Sequence, residues 1–318
     1  MRYVAQRVTY LVPTLFLVSI IIFFLMRILP GDVATLILMG PDGTGMPSQE
    51  DIARLNAELG LDRPLAVQYF DWIWGLLQLD AGNSLWTGRP VFSELGSRLP
   101  LSLELGIITS MLSLLIGVPL GVIAAVKRET PIDYVARIFA IGGLAVPNFW
   151  IGILLILALV TFFDWVPPLG YKGPLEDPQA HFQQMIWPAL ALGYSSSALI
   201  ARLTRSSMLE VMREDYVRTA RAKGLRNSTV ITRHVLRNAL LPVVTIVGIS
   251  VAGIIGGTVI METVFSLPGV GRYMVTAITQ RDYPVVQTLV FIFAIAYALA
   301  NLLVDLSYMF LDPRIRLR

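Results

Sequence analysis

The stretch LGIITSMLSLLIGVPLGVIAAV, residues Leu105–Val126, contains no charged side chain over its whole length. A helix needs about 20 predominantly apolar residues to cross the hydrocarbon core of a bilayer. The stretch does not alternate polar with apolar residues, which disfavours a strand of a β-barrel. Five further charge-free stretches qualify: Val8–Met26, Ile138–Phe163, Phe182–Ala201, Asn238–Met261 and Tyr283–Val304. The sequence therefore predicts an all-α integral membrane protein with six transmembrane helices.

Composition supports this prediction and excludes other classes of protein. Of the 318 residues, 55% are hydrophobic and 15% are charged, whereas a soluble domain usually carries about 25% charged residues. The net charge of +3 is small, and the basic residues lie in short connections, so no nucleic-acid partner is predicted. The absence of cysteine excludes disulfides, thiolate metal sites and a cysteine nucleophile.

The N-terminus resembles a signal peptide, because Arg2 and Arg7 precede an apolar run. The run is long and no small-residue cleavage site ends it, so we expect a retained first helix. Lys and Arg concentrate in the N-terminal tail, after the second and fourth stretches, and in the C-terminal tail. Loops rich in these residues stay in the cytoplasm. Both termini are therefore predicted to be cytoplasmic, with Pro30–Leu99 on the outer side.

The outer segment Pro30–Leu99 is too long to be a simple connection and is predicted to be a helical insertion. Ser48 and Asp51 have the spacing of a capping box, and Gly60 fits a helix end. The following stretch, Val67–Leu77, is rich in aromatic residues and suits a membrane interface. It fits a small helical cap on the outer mouth and also a docking surface for an outside partner.

A second long segment, Arg202–Arg237, lies on the predicted cytoplasmic side. Its apolar residues have helical spacing, which predicts one helix over Met208–Gly224 with Met208, Val211, Met212, Tyr216, Thr219 and Ala220 on one stripe. Gly224 is expected to end this helix, and Ser228 to cap a second helix that runs into the fifth span at Pro242. The apolar stripe needs a partner, which is either a groove in another protein or anionic lipid.

Motifs for catalysis are missing from the sequence. There is no phosphate-binding loop of the G-x-x-x-x-G-K-[ST] type and no H-E-x-x-H, and the two histidines lie far apart. Gly193-Tyr194-Ser195 begins a G-x-S pattern, but serine replaces the final glycine. The chain is therefore predicted not to be an enzyme, and these serines are interpreted as close-packing residues or polar lining of a pathway.

Charged and polar residues near the spans are candidates for function. Glu104, Glu262 and Asp305 lie close to predicted membrane interfaces, where we expect them to pair with arginines or, alternatively, to contact a substrate. Uncharged polar residues within the spans either line a pathway or join helices, and sequence alone does not decide between these roles. These candidates are Asn148, Ser195, Ser196, Thr245, Ser250 and Thr258.

The stretch EDYVRTARAKG, Glu214–Gly224, followed by His234 and by RNALLP at Arg237–Pro242, resembles the cytoplasmic loop of binding-protein-dependent ABC transporter permeases. It is similar to the version found in dipeptide, oligopeptide, glutathione and nickel importers. Ala220 and Gly224 match the generic E-A-A-x-x-x-G pattern, while Arg218 and Thr219 depart from it. The long spacing from Gly224 to Pro242 is also typical of the peptide subfamily.

Three other stretches resemble the same subfamily: Leu29–Asp32, Leu59–Pro64 and Glu262–Gly271. The arrangement Leu-Pro-Gly-Asp after the first span is similar to that of B-type subunits. The resemblance covers essentially the whole chain and implies an N-terminal helix with an outer region over residues 1–100 and a permease domain over residues 101–318.

The resemblance implies a subunit of a peptide importer in the bacterial cytoplasmic (inner) membrane. Its expected partners are membrane lipid, a C-type permease, two ABC ATPase subunits and a periplasmic or lipid-anchored solute-binding protein. ATP and Mg are expected to be used by the ATPases, with no cofactor bound by this chain. The segment expected to couple it to an ATPase contains Met208, Val211, Met212, Asp215, Tyr216, Arg218, Thr219, Ala220, Gly224 and Pro242.

The alternative is a self-sufficient membrane protein, such as a secondary transporter or a membrane enzyme. Secondary transporters often carry coupling carboxylates near the bilayer midplane, and the predicted spans contain none there.

Overall fold

The computed structural model describes residues 2–28, 32–40, 44–168 and 170–311, except for the side chains of residues 2–8, 10, 245–247, 249–255, 257 and 303–311. These residues form helices and connecting loops, with no β-strand in the described ranges. The helices are α1 Arg2–Ile28, α2 Val33–Met39, α3 Gln49–Glu58, α4 Leu65–Leu77, α5 Val91–Val126, α6 Pro131–Ala145, α7 Asn148–Phe163, α8 Pro178–Val211, α9 Asp215–Ala222, α10 Asn227–Thr229, α11 Arg237–Val264, α12 Val270–Gln280 and α13 Tyr283–Leu311.

Among the described residues, three helices are long and apolar enough to cross a membrane, namely α1, α5 and α13, and the bent pair α6–α7 makes a fourth if it counts as one span. The predicted third span, Ile138–Phe163, is therefore not one continuous helix. Its two halves meet at an angle of 109°. The cause is Pro147, which disfavours helical geometry at the preceding residue, and Val146 accordingly has a ψ of 128°.

The predicted fourth and fifth spans correspond to α8 and α11, which extend beyond the predicted limits at both ends. Several side chains of α11 lie outside the described residues. The all-α membrane class is confirmed, while the exact layout of six spans stays a prediction.

The chain divides into two compact units. The first contains residues 1–101 and 268–298, and its core joins α1, the start of α5, α12 and α13. Helix α4 adds to this core through Tyr69 and Trp72, whose rings contact Phe23 of α1. Phe70 and Trp74 on the other side of α4 are largely exposed. The amphipathic aromatic helix predicted from the sequence is therefore present.

Local signals in the N-terminal insert, residues 32–100, are also confirmed. The Asp51 N–H donates to Ser48 Oγ at 3.1 Å, and the Ser48 N–H donates to Asp51 Oδ2 at 3.3 Å. The Ser48 hydroxyl, which also donates to this carboxylate, lowers the pKa of Asp51. Gly60 has a φ of +68° at the end of α3, as predicted.

A buried carboxylate fixes the loop before α5 onto the end of α12. The Ser84 hydroxyl donates to Asp282 Oδ2 at 2.5 Å, and the Leu85 N–H donates to Oδ1 at 3.2 Å. The Trp86 indole N–H donates to the Gln280 carbonyl at 2.7 Å. Burial raises the pKa of Asp282. These contacts join residues that lie far apart in sequence within the first unit.

The second unit contains residues 102–267 and 299–318, and in it α8 packs against α6, α7 and α11. Glycines allow very close approach of α5 to α8. A Cβ on Gly117 would lie 2.7 Å from the Ser197 carbonyl oxygen, and a Cβ on Gly121 would lie 2.6 Å from that of Ala201. Small residues at helix interfaces serve this purpose in membranes.

Adding one methyl group to Gly121 should therefore destabilise the protein. We expect Gly121→Ala to cost about 1–3 kcal/mol, because the added carbon overpacks a contact with backbone. A Cβ on Gly96 of the same helix would meet no atom within 4 Å, so Gly96→Ala should be neutral or stabilising by up to about 1 kcal/mol. Thermal unfolding of the two purified variants in one detergent measures the difference. Equal unfolding temperatures would contradict the close packing.

Candidate functional site

The segment of residues 202–242, which runs from the last turns of α8 to the first turns of α11, departs from the predicted single helix over Met208–Gly224. Helix α8 ends at Val211, and α9 begins only at Asp215. Between them, Glu214 has an extended backbone with a ψ of 144°, and its N–H donates to the Val211 carbonyl in a tight turn. The prediction was wrong because the apolar spacing continues across a break that the spacing itself does not reveal.

The break changes which side chains the chain itself buries. Met208 and Val217 are fully buried, and Ala220 is nearly so. They form one cluster with Ala125 of α5, with Val230 and Val235 from the chain between α9 and α11, and with Ala239 of α11. Sequence reasoning missed Val217, although Val217 and Ala220 have the i, i+3 spacing of one face of a short helix that starts at Asp215.

Other members of the predicted stripe are not part of this buried core. Val211 and Met212 are half-buried and pack against its edge, whereas Tyr216 is 41% exposed and Thr219 is exposed. The expectation that the whole stripe faces a partner is therefore corrected. Much of its apolar surface is covered by residues of the same chain.

The exposed face of α9 is polar and held in place by a few hydrogen bonds. Arg218 pairs with Asp215 at 3.3 Å. The Asn238 amide donates to the Tyr216 hydroxyl at 2.9 Å and to the His234 carbonyl at 3.0 Å. This amide fixes an exposed aromatic side chain against the start of α11.

Gly224 ends α9 as predicted, with a φ of +76°. The Leu225 N–H donates to the Ala220 carbonyl at 3.4 Å, and the Gly224 N–H donates to the Arg221 carbonyl at 2.9 Å. This pair of bonds is a Schellman motif, in which the residue at the position of Gly224 takes the left-handed conformation. A Cβ there would meet no atom within 4 Å, so only the backbone conformation demands glycine.

The predicted cap at Ser228 is wrong. Helix α10 begins at Asn227 after Arg226, without a side-chain cap, and a π-helical segment Val230–Leu236 continues directly into α11. Pro242 lies inside α11, which runs through it. Segments of π-helix are rare and frequently lie at functional sites.

An ion pair that the sequence did not reveal joins α6 to the part of α8 with which this segment begins. Arg205 donates to both carboxylate oxygens of the fully buried Asp133, at 2.7 and 2.8 Å. The Glu129 N–H also donates to this carboxylate, at 3.1 Å. Removing one partner of such a pair would leave an uncompensated buried charge, so the pair fixes α6 against α8. Arg205 counted in the sequence only as one of many basic loop residues.

The structure brings two of the predicted pathway residues together. The Ser195 hydroxyl of α8 donates to the Asn148 side-chain oxygen at the start of α7. Ser196 is half-buried and Thr258 is buried. The side chains of Thr245 and Ser250 lie outside the described residues.

Of the carboxylates near the span ends, Glu104 has a different partner from the one predicted. Glu104 contacts His181 Nε2 at 2.7 Å, in place of an arginine, while His181 Nδ1 lies 3.1 Å from the Lys172 carbonyl oxygen. The fully buried Glu262 accepts a hydrogen bond from Ser102 at 2.6 Å. The side chain of Asp305 lies outside the described residues. In the described part of the chain, no group of three or more His, Asp or Glu residues has a geometry that holds a metal ion.

Comparison with known proteins places the chain among transport proteins. Residues 117–317 match the family of binding-protein-dependent transport system inner membrane components, and residues 1–106 match the N-terminal region of such components. The chain is 40% identical to the dipeptide transport system permease protein DppB of Escherichia coli K12, over 99% of both chains. It is 39% identical to a putative peptide transport system permease of Brucella abortus strain 2308, over 98% of both.

Solved structures show the same fold at lower identity. The inward-facing MetNI methionine ABC transporter has a chain that matches with a TM-score of 0.54 and 16% identity, covering 69% of this chain and 96% of that one. An amino acid ABC transporter crystallised with histidines gives the same TM-score and identity, covering 68% and 93%. The chain belongs to the family of binding-protein-dependent transport permeases and is a multi-pass component of the inner membrane.

Proposed function

We propose that this chain is the B-type permease subunit of an ABC importer that takes up peptides of the dipeptide and oligopeptide class. The observation that carries the proposal is identity of about 40% over 99% of both chains with a dipeptide permease. The relatives from Brucella and from Sinorhizobium fredii have names of the same kind. Glutathione and nickel chelates are alternative solutes within the subfamily.

The partners follow from this proposal. A second, C-type permease would complete the pathway, two ABC ATPases would supply the energy from ATP and Mg, and a periplasmic or lipid-anchored protein would deliver the solute. Both termini would lie in the cytoplasm, since Lys and Arg are concentrated on that side of the predicted spans. The chain would also divide at residue 100 into an N-terminal region and a permease domain.

The 202–242 segment would couple this chain to an ATPase, with a division of labour between its two faces. Met208, Val217 and Ala220 fasten α9 to the rest of the second unit, because they are buried within it. The opposite face is free to meet a partner and carries Asp215, Tyr216, Arg218 and Thr219. Val211 and Met212 lie at the edge between the two faces and would complete the contact.

Polar groups along α7, α8 and α11 would line the solute pathway. The support is the hydrogen bond between Asn148 and Ser195, which joins α7 to α8 within the second unit. Ser196 and the buried Thr258 add further polar groups, and Thr245 and Ser250 remain sequence-based candidates. Polar residues at membrane depth are costly and commonly mark a substrate path.

A reconstituted system tests the proposed function directly. Proteoliposomes that contain this chain with its cognate permease, ATPases and binding protein should accumulate a labelled dipeptide when ATP is supplied. Liposomes that lack this chain should accumulate none, and free amino acids serve as a control for leakage. Accumulation of another class of solute, with no dipeptide uptake by the complete system, would overturn the peptide assignment.

The exposed face of α9 gives a sharper prediction. Central interface tyrosines often contribute about 2 kcal/mol or more, so Tyr216→Ala should weaken ATPase binding about tenfold or more. Phe70→Ala, which removes an exposed aromatic ring from α4, should leave ATPase binding unchanged. Val217→Asp should instead lower the thermal stability of the permease itself, because it places a charge in a closed apolar cluster. Quantitative co-purification and unfolding temperatures separate these effects, and unchanged ATPase recovery with Tyr216→Ala would exclude this face.

Gly224 provides a test of coupling as distinct from assembly. A branched residue in the left-handed conformation costs about 1–2 kcal/mol, whereas asparagine tolerates it better. Gly224→Val should insert into the membrane but shift the end of α9, so that ATP hydrolysis continues with little uptake. Gly224→Asn should retain most uptake. The ratio of dipeptide transported to ATP hydrolysed measures the effect, and an equal ratio for both variants would remove this role from Gly224.

A further inference from the structure

A cavity of about 390 Å³ lies in the first compact unit, within the N-terminal insert and the neighbouring helix ends. Its volume falls in the range of roughly 300–1,000 Å³ that is usual for sites of small molecules. The walls come from the end of α1, the turn after α3, one face of α4, the loop before α5 and the first turns of α13. Its charged lining residues are Arg27, Glu58, Arg63, Asp71 and Asp80.

Backbone geometry fixes the shape of this cavity. Gly60 turns the chain at the end of α3 with a positive φ, and Gly82 does the same in the loop before α5. At Gly75 of α4, a Cβ would lie 2.5 Å from the Asp80 carbonyl oxygen, so this loop approaches the helix backbone directly. The Asp80 carboxylate accepts the Gly82 N–H at 2.9 Å. The main chain therefore fixes the parts of the wall at Gly60, Gly75 and Gly82.

Arg27 supplies a positive charge that no carboxylate balances within the described residues. Its guanidinium donates to the Phe23 carbonyl at 3.0 Å and to Gln68 Oε1 at 2.7 Å, both neutral acceptors. It also lies over the Phe23 ring, 3.4 Å from the centroid. Arg63 on the same cavity is different, because it is exposed and pairs with Asp71 at 3.4 Å.

Arg27 is the group in this cavity that can receive a carboxylate, because a guanidinium donates charge-assisted hydrogen bonds to carboxylate oxygens. Two other donors near the wall, Trp72 Nε1 and Gln287 Nε2, lack acceptors among the described residues. Each has less than 1 Å² of exposed surface, so a molecule in the cavity does not reach them and they take no part in the site.

Acidic residues on the same cavity narrow the class of ligand. Asp80, Asp71 and Glu58 line it together with the two arginines. Asp71 pairs with Arg63 and Glu58 pairs with Arg54, which leaves Asp80 without a cationic partner among the described residues. A simple anion would leave Asp80 unpaired, whereas a zwitterion presents an ammonium group to Asp80 and a carboxylate to Arg27. A short peptide with free ends has this charge distribution.

We propose that this cavity is a second solute site, which binds the carboxylate of a short zwitterionic peptide through Arg27. The ammonium group of the peptide would lie toward Asp80. The assignment to peptides rests on the proposed function, but the requirement for a carboxylate rests on the cavity alone. In an importer of this kind, the site would hold solute on the permease outside the pathway lined by Asn148 and Ser195.

The test uses the full-length chain in lipid nanodiscs without ATPases or nucleotide, and calorimetric titration with three probes. Alanyl-alanine with free ends should bind. Its C-terminal amide should bind at least about tenfold more weakly, because it loses the charge-assisted hydrogen bonds to Arg27. N-acetyl-alanyl-alanine should bind several-fold more weakly, since it lacks the ammonium group. Equal binding of the free acid and the amide, or no binding at millimolar concentration, would overturn the proposal.

Variants locate the binding within this cavity. Arg27→Gln should weaken binding of alanyl-alanine about tenfold. Arg63→Gln is the matched control, because this arginine lines the same cavity but already has a carboxylate partner. Arg27→Lys keeps the charge and should bind more tightly than Arg27→Gln, which separates loss of the site from general unfolding. Binding that is unchanged in Arg27→Gln overturns the site.

Binding of the probes to the isolated chain and uptake of dipeptide by the complete importer are tested independently. Dipeptide uptake by the complete importer without binding to the isolated chain would leave the proposed function intact and remove this site. Carboxylate-dependent binding in a system that transports another solute would keep the site and remove the peptide importer.

Discussion

Hydrocarbon contains no group that hydrogen-bonds to a peptide N–H or carbonyl oxygen, so the backbone of this chain must satisfy its polar groups internally. The described structure meets this constraint with helices whose ends close on themselves. Gly60, Leu79, Gly224 and Arg281 have positive φ values after α3, α4, α9 and α12, and each is followed by a bond back to the last helical turn. These closures determine where the chain can leave a helix. The 202–242 segment contains the closure at Gly224, and the cavity at Arg27 is lined by the closure at Gly60.

Within the second unit, α8 is the element on which the other helices depend. Glycines of α5 approach its backbone, and its polar residues reach α6 and α7 through Arg205 and Ser195. A helix that combines close packing with buried polar contacts resists sliding, because a shift would break several directional bonds together. This rigidity suits a helix that continues into the 202–242 segment, since the proposed coupling role requires that movement of this segment be transmitted along α8 and not absorbed within it.

The apolar pattern of the 202–242 segment is divided between side chains that the chain itself buries and exposed side chains that are proposed to meet a partner. Met208 and Val217 are closed inside the chain, while Tyr216 remains on the surface and is oriented by Asn238. An exposed aromatic ring held by a buried framework loses little further conformational freedom when a partner binds. The cavity in the N-terminal insert is also shaped before any ligand binds, because glycines and backbone contacts form part of its wall. Arg27 in this cavity has no carboxylate partner among the described residues.

The sequence by itself determined the features that depend on neighbouring residues: the apolar helices, the capping box of Ser48 and Asp51, the aromatic face of α4 and the turn at Gly224. Such features follow from hydrogen bonds and backbone preferences over a few residues. Only the tertiary structure decided the break before α9, the burial of Val217, the Asp133–Arg205 and Glu104–His181 pairs, and the cavity at Arg27. Each of these depends on groups many residues apart, whose meeting is set by helix packing, and no spacing along the chain encodes that distance.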